Sequence, residues 1–229
     1  VCSSDLTLRE KYGEWGIILG ATEGVGKAFC ERLAKEGMNV VMVGRREEKL
    51  KELGEELKNT YEIDYKVVKA DFSLPDATDK IFAATENLDM GFMAYVACLH
   101  SFGKIQDTPW EKHEAMINVN VVTFMKCFYH YMKIFAAQDR GAVINVSSMT
   151  GISSSPWNGQ YGAGKAFILK MTEAVACETE KTNVDVEVIT LGTTLTPSLL
   201  SNLPGGPQGE AVMKTAQTPE EVVDEAFEK

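Results

Sequence analysis

The chain has 229 residues, 45% hydrophobic and 24% charged, a balance that fits an ordinary globular protein and excludes a disordered or fibrous one. At this length one core buries enough apolar surface to hold the fold without a disulfide or metal staple, so one domain is expected. A formal net charge of −10 leaves no basic footprint for a nucleic-acid backbone and excludes nucleic acid as a partner.

No window reaches the roughly 18 to 20 consecutive apolar residues of a membrane span. The first ten residues lack a basic-then-apolar leader pattern. Cys2, Cys30, Cys98, Cys127 and Cys177 are odd in number and scattered, which points to reduced thiols, and a cytoplasmic protein is expected. His100, His113 and His130 have no ligand spacing, so no dedicated metal site is expected.

Residues 1–10 are expected to form a tail, native or foreign, ahead of one catalytic domain over 11–229. The apolar run 15–20 ends in Gly and leads into helical spacing over 27–36, where Ala28, Phe29, Leu33 and Ala34 share a face and Gly37 stops the helix. Residues 39–44 form the next buried strand, 47–58 a helix with Leu50, Leu53 and Leu57 on one stripe, and 65–70 a third strand. A helix over 75–85 precedes an apolar strand over 90–98, and 110–138 carries one long helical pattern. The strand 142–146, the helix 162–180 and the strand 184–191 follow.

This alternation implies crossover connections and so a doubly wound α/β domain, with a parallel sheet, helices on both faces and ligands at the carboxyl ends of the strands. Residues 192–217 mix Pro and Gly with Leu195, Leu199, Leu200, Leu203 and Met213, the composition of a substrate lid at that end. Thr218 and Pro219 open a final helix.

Gly20-Ala-Thr-Glu-Gly24-Val-Gly26 lies between the first strand and first helix, where glycines allow a tight turn and close approach to a pyrophosphate on the helix N-terminus. A nucleoside-triphosphate P-loop is excluded, because positions 21 and 28 are both Ala. Tyr161 and Lys165 lie one helical turn apart, and Ser148 ends a strand thirteen residues before Tyr161. Alone, the Tyr–Lys pair reads as a solvated lysine beside a half-buried tyrosine.

In combination these motifs resemble the short-chain dehydrogenase/reductase family, over about residues 16–229. The resemblance implies a Rossmann-type fold and a catalytic set of Asn120, Ser148, Tyr161 and Lys165. Ser148 would hold the substrate oxygen, Tyr161 exchange a proton with it, Lys165 lower the tyrosine pKa and Asn120 support a water relay. Ser147 is the competing neighbour for the serine role. The cofactor contacts implied are Gly20, Thr22, Glu23, Gly24, Val25, Gly26, Arg45, Asp71, Phe72, Ala97, Tyr161, Lys165, Gly192, Thr194 and Thr196.

The end of the second strand selects the cofactor. Gly44 occupies the slot of a ribose-binding carboxylate and Arg45 follows it, suited to a 2′-phosphate, so NADP(H) is expected over NAD(H), with Glu23 as the opposing feature. The chain departs from the family's usual Asn-Asn-Ala-Gly at Tyr95-Val96-Ala97-Cys98, where Cys98 reads as a small buried residue rather than as a reactive thiol near the cofactor. Leu191 and Leu19 also replace usual family residues, and the family's final strand is expected to be missing.

Two phrases around residues 20–27 and 33–41 resemble the branch of 17-beta-hydroxysteroid dehydrogenases and very-long-chain 3-oxoacyl reductases. An apolar ketone or secondary alcohol is therefore the expected substrate, with Ser148, Met149, Trp157, Tyr161 and Leu199 against it. A hydroxysteroid is favoured, since the acidic chain offers no basic patch to an acidic acyl carrier. The alternatives are a 3-oxoacyl thioester reductase and a non-catalytic NADP-binding sensor. Apolar residues on more than one face of 115–137 and 162–180 imply a homodimer or homotetramer.

Overall fold

The computed structural model describes residues 6–153, 155–201 and 207–228. In chain order the elements are α1 Leu8–Tyr12, β1 Trp15–Leu19, α2 Gly24–Lys35, β2 Asn39–Gly44, α3 Glu47–Tyr61, β3 Tyr65–Lys69, α4 Ala77–Thr85 and β4 Met90–Tyr95. Then come α5 Trp110–Ile117, a π-helical segment Asn118–Thr123, α6 Phe124–Gln138, β5 Gly141–Ser148, α7 Gly159–Thr179, β6 Val184–Leu191, and three short helices, α8 Pro197–Leu200, α9 Pro207–Thr215 and α10 Pro219–Phe227.

The strands form one parallel sheet in the order β3-β2-β1-β4-β5-β6. The direction of winding reverses between β1 and β4, which opens a crevice at their carboxyl ends. Side chains alternate across the pleat. Ile18, Val40 and Met42 pack with Phe29, Leu33, Leu50, Leu53 and Val223 on the α2, α3 and α10 side. Ile17, Leu19, Val41 and Val43 pack with Phe124, Phe128, Tyr131, Phe135 and Ile168 on the other. β6 is an edge of this sheet and is half-exposed along most of its length.

The expected doubly wound sheet is present, and its departures from expectation are local. α2 starts at Gly24, three residues early, because the last two glycines of the turn are already its first residues. β4 ends at Tyr95: Val96 and Ala97 both donate to the Leu19 carbonyl, at 2.9 and 2.8 Å, and the chain peels off the sheet there. The long helix over 110–138 contains the π segment, where the ladder widens by one residue. Residues 8–10, assigned to a tail, begin α1 instead, closed by a capping box between Thr7 and Glu10. Lys11 and Tyr12 anchor that helix on Asp185 of β6, the lysine at 2.8 Å. Residues 1–5 lie outside the described part.

Candidate active site

The glycine turn works by close approach. A Cβ on Gly26 would stand 2.0 Å from the Gly20 carbonyl oxygen, and one on Gly20 would meet the Ala97 nitrogen at 2.6 Å. Gly20 and Gly24 also have φ of +102° and +57°, the left-handed region. The turn thus folds flat against residues 96–97, and the start of α2 faces the crevice. Thr22 and Glu23 are half-buried, whereas Val25 is part of the core. A Cβ on Gly24 would meet Thr196 Cγ2 at 2.9 Å, so Thr196 lies against the turn.

At the end of β2, Arg45 is exposed and Arg46 pairs with Glu23 at 2.8 Å. Glu23, the feature opposing a phosphate, therefore carries its own counter-charge. Arg46 was not singled out from the sequence, although two adjacent arginines opposite an acidic turn were the available signal. A Cβ on Gly44 would meet Thr22 Oγ1 at 2.6 Å, leaving little room there for an acidic side chain. Asp71 accepts from the Ser73 nitrogen and hydroxyl at 3.0 and 2.7 Å. Burial raises its pKa, but those two bonds and the Arg45 charge outweigh it and hold the carboxyl below the usual range. Phe72 is buried, its carbonyl accepting from Thr123 in the π segment at 2.8 Å.

The four residues of the expected catalytic set come from three elements. Ser148 ends β5 and caps the next turn, its Oγ accepting from Thr150 N and Oγ1 at 3.3 and 3.0 Å. Ser147 points the other way, as strand alternation demands, and donates to the Lys165 carbonyl at 2.8 Å within the core. Ser148 is therefore the serine at the cleft, within hydrogen-bond reach of Tyr161. Lys165 is 2% exposed, donates from Nζ to the Val146 carbonyl at 2.7 Å and lies 5.7 Å from the Tyr161 ring centroid.

Three glycines allow α7 to come this close. A Cβ on Gly162 would meet the Thr150 oxygen at 2.7 Å, one on Gly151 the Lys165 carbonyl carbon at 2.8 Å, and one on Gly164 the Asn120 Cβ at 2.9 Å. Asn120 sits in the π segment, 1% exposed, and clamps the main chain of Leu99: its Nδ2 donates to the Leu99 oxygen at 2.7 Å and its Oδ1 accepts from the Leu99 nitrogen at 3.0 Å. Gly164→Ala is expected to push Asn120 off Leu99, destabilising the fold by about 1–3 kcal/mol and lowering turnover. Thermal melting beside a rate assay checks both.

Burial pushes the Tyr161 hydroxyl well up, the Cys98 thiol adds to that, and the bond with Ser148 lowers it. Burial also pushes the Lys165 amine down. The bond from Ser148 eases ionisation of the tyrosine, and Lys165, its Nζ held on the Val146 carbonyl, stands 5.7 Å from the Tyr161 ring centroid.

The unusual run after β4 is compensated. Tyr95 is fully buried and its hydroxyl donates to the Val119 carbonyl in the π segment at 2.6 Å, supplying a tie between layers. Cys98 corrects its assignment as a buried residue: the residue is exposed, just past the end of β4. His100 was missed in the sequence because nothing but its position after β4 marks it.

Met149 and Trp157, placed against substrate, are exposed at 51% and 63%, and Leu199 is half-buried. Trp157 has φ +62°, rare for a bulky residue, and its carbonyl accepts from Gly103 at 2.9 Å. Gly192 is exposed with open space where a Cβ would be. Main-chain bonds between Leu195 and Gln217 (2.8 Å) and between Gln217 and Thr193 (3.0 Å) stitch the two ends of the lid together. Leu203 lies outside the described residues. Thr194 Oγ1 is buried without a hydrogen-bond partner.

A family model described as short chain dehydrogenase matches residues 14–203. The chain is 84% identical over 224 residues to the 7beta-hydroxysteroid dehydrogenase of Collinsella aerofaciens, covering 98% of this chain and 85% of that one. It is 44% identical over 224 residues to the 7beta-hydroxysteroid dehydrogenase of Clostridium sardiniense, with the same coverage. A solved structure concerned with 7beta-hydroxysteroid dehydrogenase stereoselectivity superposes with a TM-score of 0.95 at 84% identity, over 97% of this chain and 86% of that one. The branch expected from the sequence also matches, at lower identity. The doubly wound sheet, the glycine turn at its switch point and these matches together establish that the chain belongs to the short-chain dehydrogenase family.

Proposed function

We propose that this protein is an NADP(H)-dependent hydroxysteroid oxidoreductase that interconverts a ketone and a secondary alcohol, at position 7 of the steroid and on its β face. The observation that carries the reading is the 84% identity to a 7beta-hydroxysteroid dehydrogenase along nearly the whole chain, joined to the Ser148–Tyr161–Lys165 cluster. The 3-oxoacyl reading is not retained, and a complete proton-handling set opposes the sensor reading.

The residues fit the cofactor. Gly20, Gly24 and Gly26 form a turn that any Cβ would fill, and the orphaned Thr194 hydroxyl is a polar group awaiting a partner. Gly20, Thr22, Glu23, Gly24 and Gly26 would hold the pyrophosphate side, Arg45 a 2′-phosphate, Asp71 and Phe72 the adenine, and Ala97, Gly192, Thr194 and Thr196 the nicotinamide end. Val25 would support the turn from the core. When bound, NADP(H) supplies or accepts the hydride.

Ser148 donates a hydrogen bond to the substrate oxygen and fixes the carbonyl carbon in reacting position. Tyr161 gives its proton to that oxygen in reduction and takes it back in oxidation. Lys165 places a positive charge beneath the tyrosine, favouring the phenolate left after transfer. Asn120, clamped to Leu99, keeps the segment after β4 against this cluster, the support on which a water relay would depend. Met149, Trp157 and Leu199 present apolar surface around the cleft to the steroid.

Ile117, Val122 and Tyr129 leave apolar surface on the α5–α6 helix, which supports pairing of copies as a homodimer or homotetramer. No helix among the described residues is long and apolar enough to cross a membrane. Free thiols at Cys30, Cys98, Cys127 and Cys177 support a reducing, cytoplasmic setting.

The test is NADPH consumption with a 7-keto steroid and a 3-oxoacyl thioester in competition. Preference for the steroid supports the proposal, and preference for the thioester overturns it. In the same assay Arg45→Ala is expected to weaken NADPH by about 2 kcal/mol, the scale of a hydrogen bond to a charged group, while leaving NADH unchanged. Equal losses for both cofactors would remove the 2′-phosphate role.

A further inference from the structure

Tyr161 stands in the first turn of α7, a turn with little of its own to hold it. Asn158 at the N-cap makes no side-chain bond to the free amides there, and Trp157 before it has φ +62°. Two ties from the stretch 103–113 hold this end of the helix. The Gly103 nitrogen donates to the Trp157 carbonyl at 2.9 Å. The side chain of Gln160, the residue before Tyr161, engages His113 of α5 twice.

Gln160 Nε2 donates to the His113 carbonyl at 2.8 Å, which orients the amide and leaves its Oε1 to accept from Nδ1 of the His113 ring. His113 Nε2 donates to the Ile105 carbonyl at 3.1 Å, on the short helical turn Ile105–Asp107. Both partners of the ring are carbonyl oxygens, and a neutral imidazole donates to one of them at a time. His113 and Gln160 are half-buried, so water competes for these bonds less than at an open surface. Four and seven residues beyond Gln160, the same face of α7 carries Gly164 against Asn120 and Phe167, whose ring meets Phe124 edge to face at 6.1 Å between centroids. The amide is thus the first contact of a face that packs along the α5–α6 helix.

We propose that Gln160 and His113 are positioning residues for Tyr161: their paired bonds pin the first turn of α7 to α5 and so set where the tyrosine hydroxyl stands. This rests on the proposed role of Tyr161 as the group that exchanges a proton with the substrate oxygen. The pair acts through the helix and not on the substrate. A first turn released from α5 opens more often, and each fraction of an ångström at the hydroxyl takes the proton away from its acceptor. Most of the proposed cofactor contacts lie on other elements, so the loss falls on turnover and leaves binding nearly as it was.

The experiment compares three variants of the intact chain. Gln160→Met keeps the side-chain length and removes both bonds to His113. His113→Asn keeps a donor near the place of Nδ1, and with it the bond to Gln160, whereas His113→Gln keeps one near the place of Nε2 and only the bond to Ile105. NADPH oxidation with a 7-keto steroid gives kcat and KM, and hydrogen–deuterium exchange follows the amides of residues 158–163. Gln160→Met is expected to lower kcat about tenfold, with KM for NADPH and steroid within about twofold, and to speed exchange over 158–163 about fivefold. His113→Gln should lose about threefold in kcat and His113→Asn should recover most of that loss. The double variant Gln160→Met/His113→Gln should be no slower than Gln160→Met alone, because the two changes remove one shared contact. A kcat for Gln160→Met within about twofold of the parent, a loss confined to KM, equal losses in the two His113 variants, or unchanged exchange would each overturn the proposal. Should Gln160→Met fail to fold, the two His113 variants carry the same test. A parent that reduces a 3-oxoacyl thioester but no steroid sinks the proposed function and moves the same rate comparison to the thioester. A parent that reduces neither leaves exchange over 158–163 to decide whether the clamp holds the turn.

Discussion

Tyr161→Phe is expected to lower steroid turnover about a thousandfold, the middle to upper range for a positioned acid–base group. The same variant should weaken NADPH by no more than about 1 kcal/mol, one neutral hydrogen bond. The split between rate and binding distinguishes a proton donor from a packing residue, because Phe keeps the ring that meets His100 edge to face. Stopped-flow or steady-state NADPH oxidation gives the rate, and quenching of protein fluorescence gives the binding. Turnover within a few-fold of the parent would remove Tyr161 from the chemistry.

Lys165→Met should separate stability from activity in the opposite sense. Lys165 is buried with its Nζ on the Val146 carbonyl, and burial lowers its pKa in the folded protein. A lysine depressed in this way binds its proton less readily folded than unfolded. Folding is therefore penalised below the folded-state pKa, and stability rises with pH from there towards the ordinary lysine value. Methionine of similar length removes the penalty and fills the same space. The melting temperature is expected to rise by a few degrees, about 1 kcal/mol, and to lose that part of its alkaline increase. Turnover should fall about a hundredfold or more, because the charge under Tyr161 is gone. A fall in melting temperature would mean that the lysine is held by compensating interactions stronger than its desolvation. Differential scanning calorimetry across pH beside a rate assay decides it.

Much of the fold was legible because each strand is a short apolar run and each helix a 3.6-residue pattern, and both survive without knowledge of tertiary contacts. The glycine turn could be read from its place between the first strand and first helix, whereas Ser148, Tyr161 and Lys165 were singled out by the resemblance, since alone the Tyr–Lys pair reads as a solvated lysine. Spacing favoured Ser148 over Ser147, and strand alternation turns Ser147 inward onto the Lys165 carbonyl.

Other features depend on long-range packing. Residues 118–123 have the composition of an α-helix, and the π widening becomes visible only where Asn120 meets Leu99 and Gly164. The roles of Gly151, Gly162 and Gly164 depend on what stands opposite a missing Cβ. The Glu23–Arg46 pair joins two loops twenty-three residues apart in sequence. Cys98 looked like a small residue after a strand, and the end of β4 at Tyr95 is what turns it towards solvent. The capping box at Thr7 and Glu10 was legible in principle, but its helix is too short for a periodic pattern to mark it.

The most direct measurement is the position and configuration of the alcohol formed. A steroid carrying ketones at several ring positions would be incubated with NADPH and this protein, and the product resolved by chromatography and NMR. Reduction at position 7 with a β-oriented hydroxyl is the predicted result. A hydroxyl at another position, the α epimer at position 7, or reduction only of a 3-oxoacyl thioester supplied alongside would contradict it.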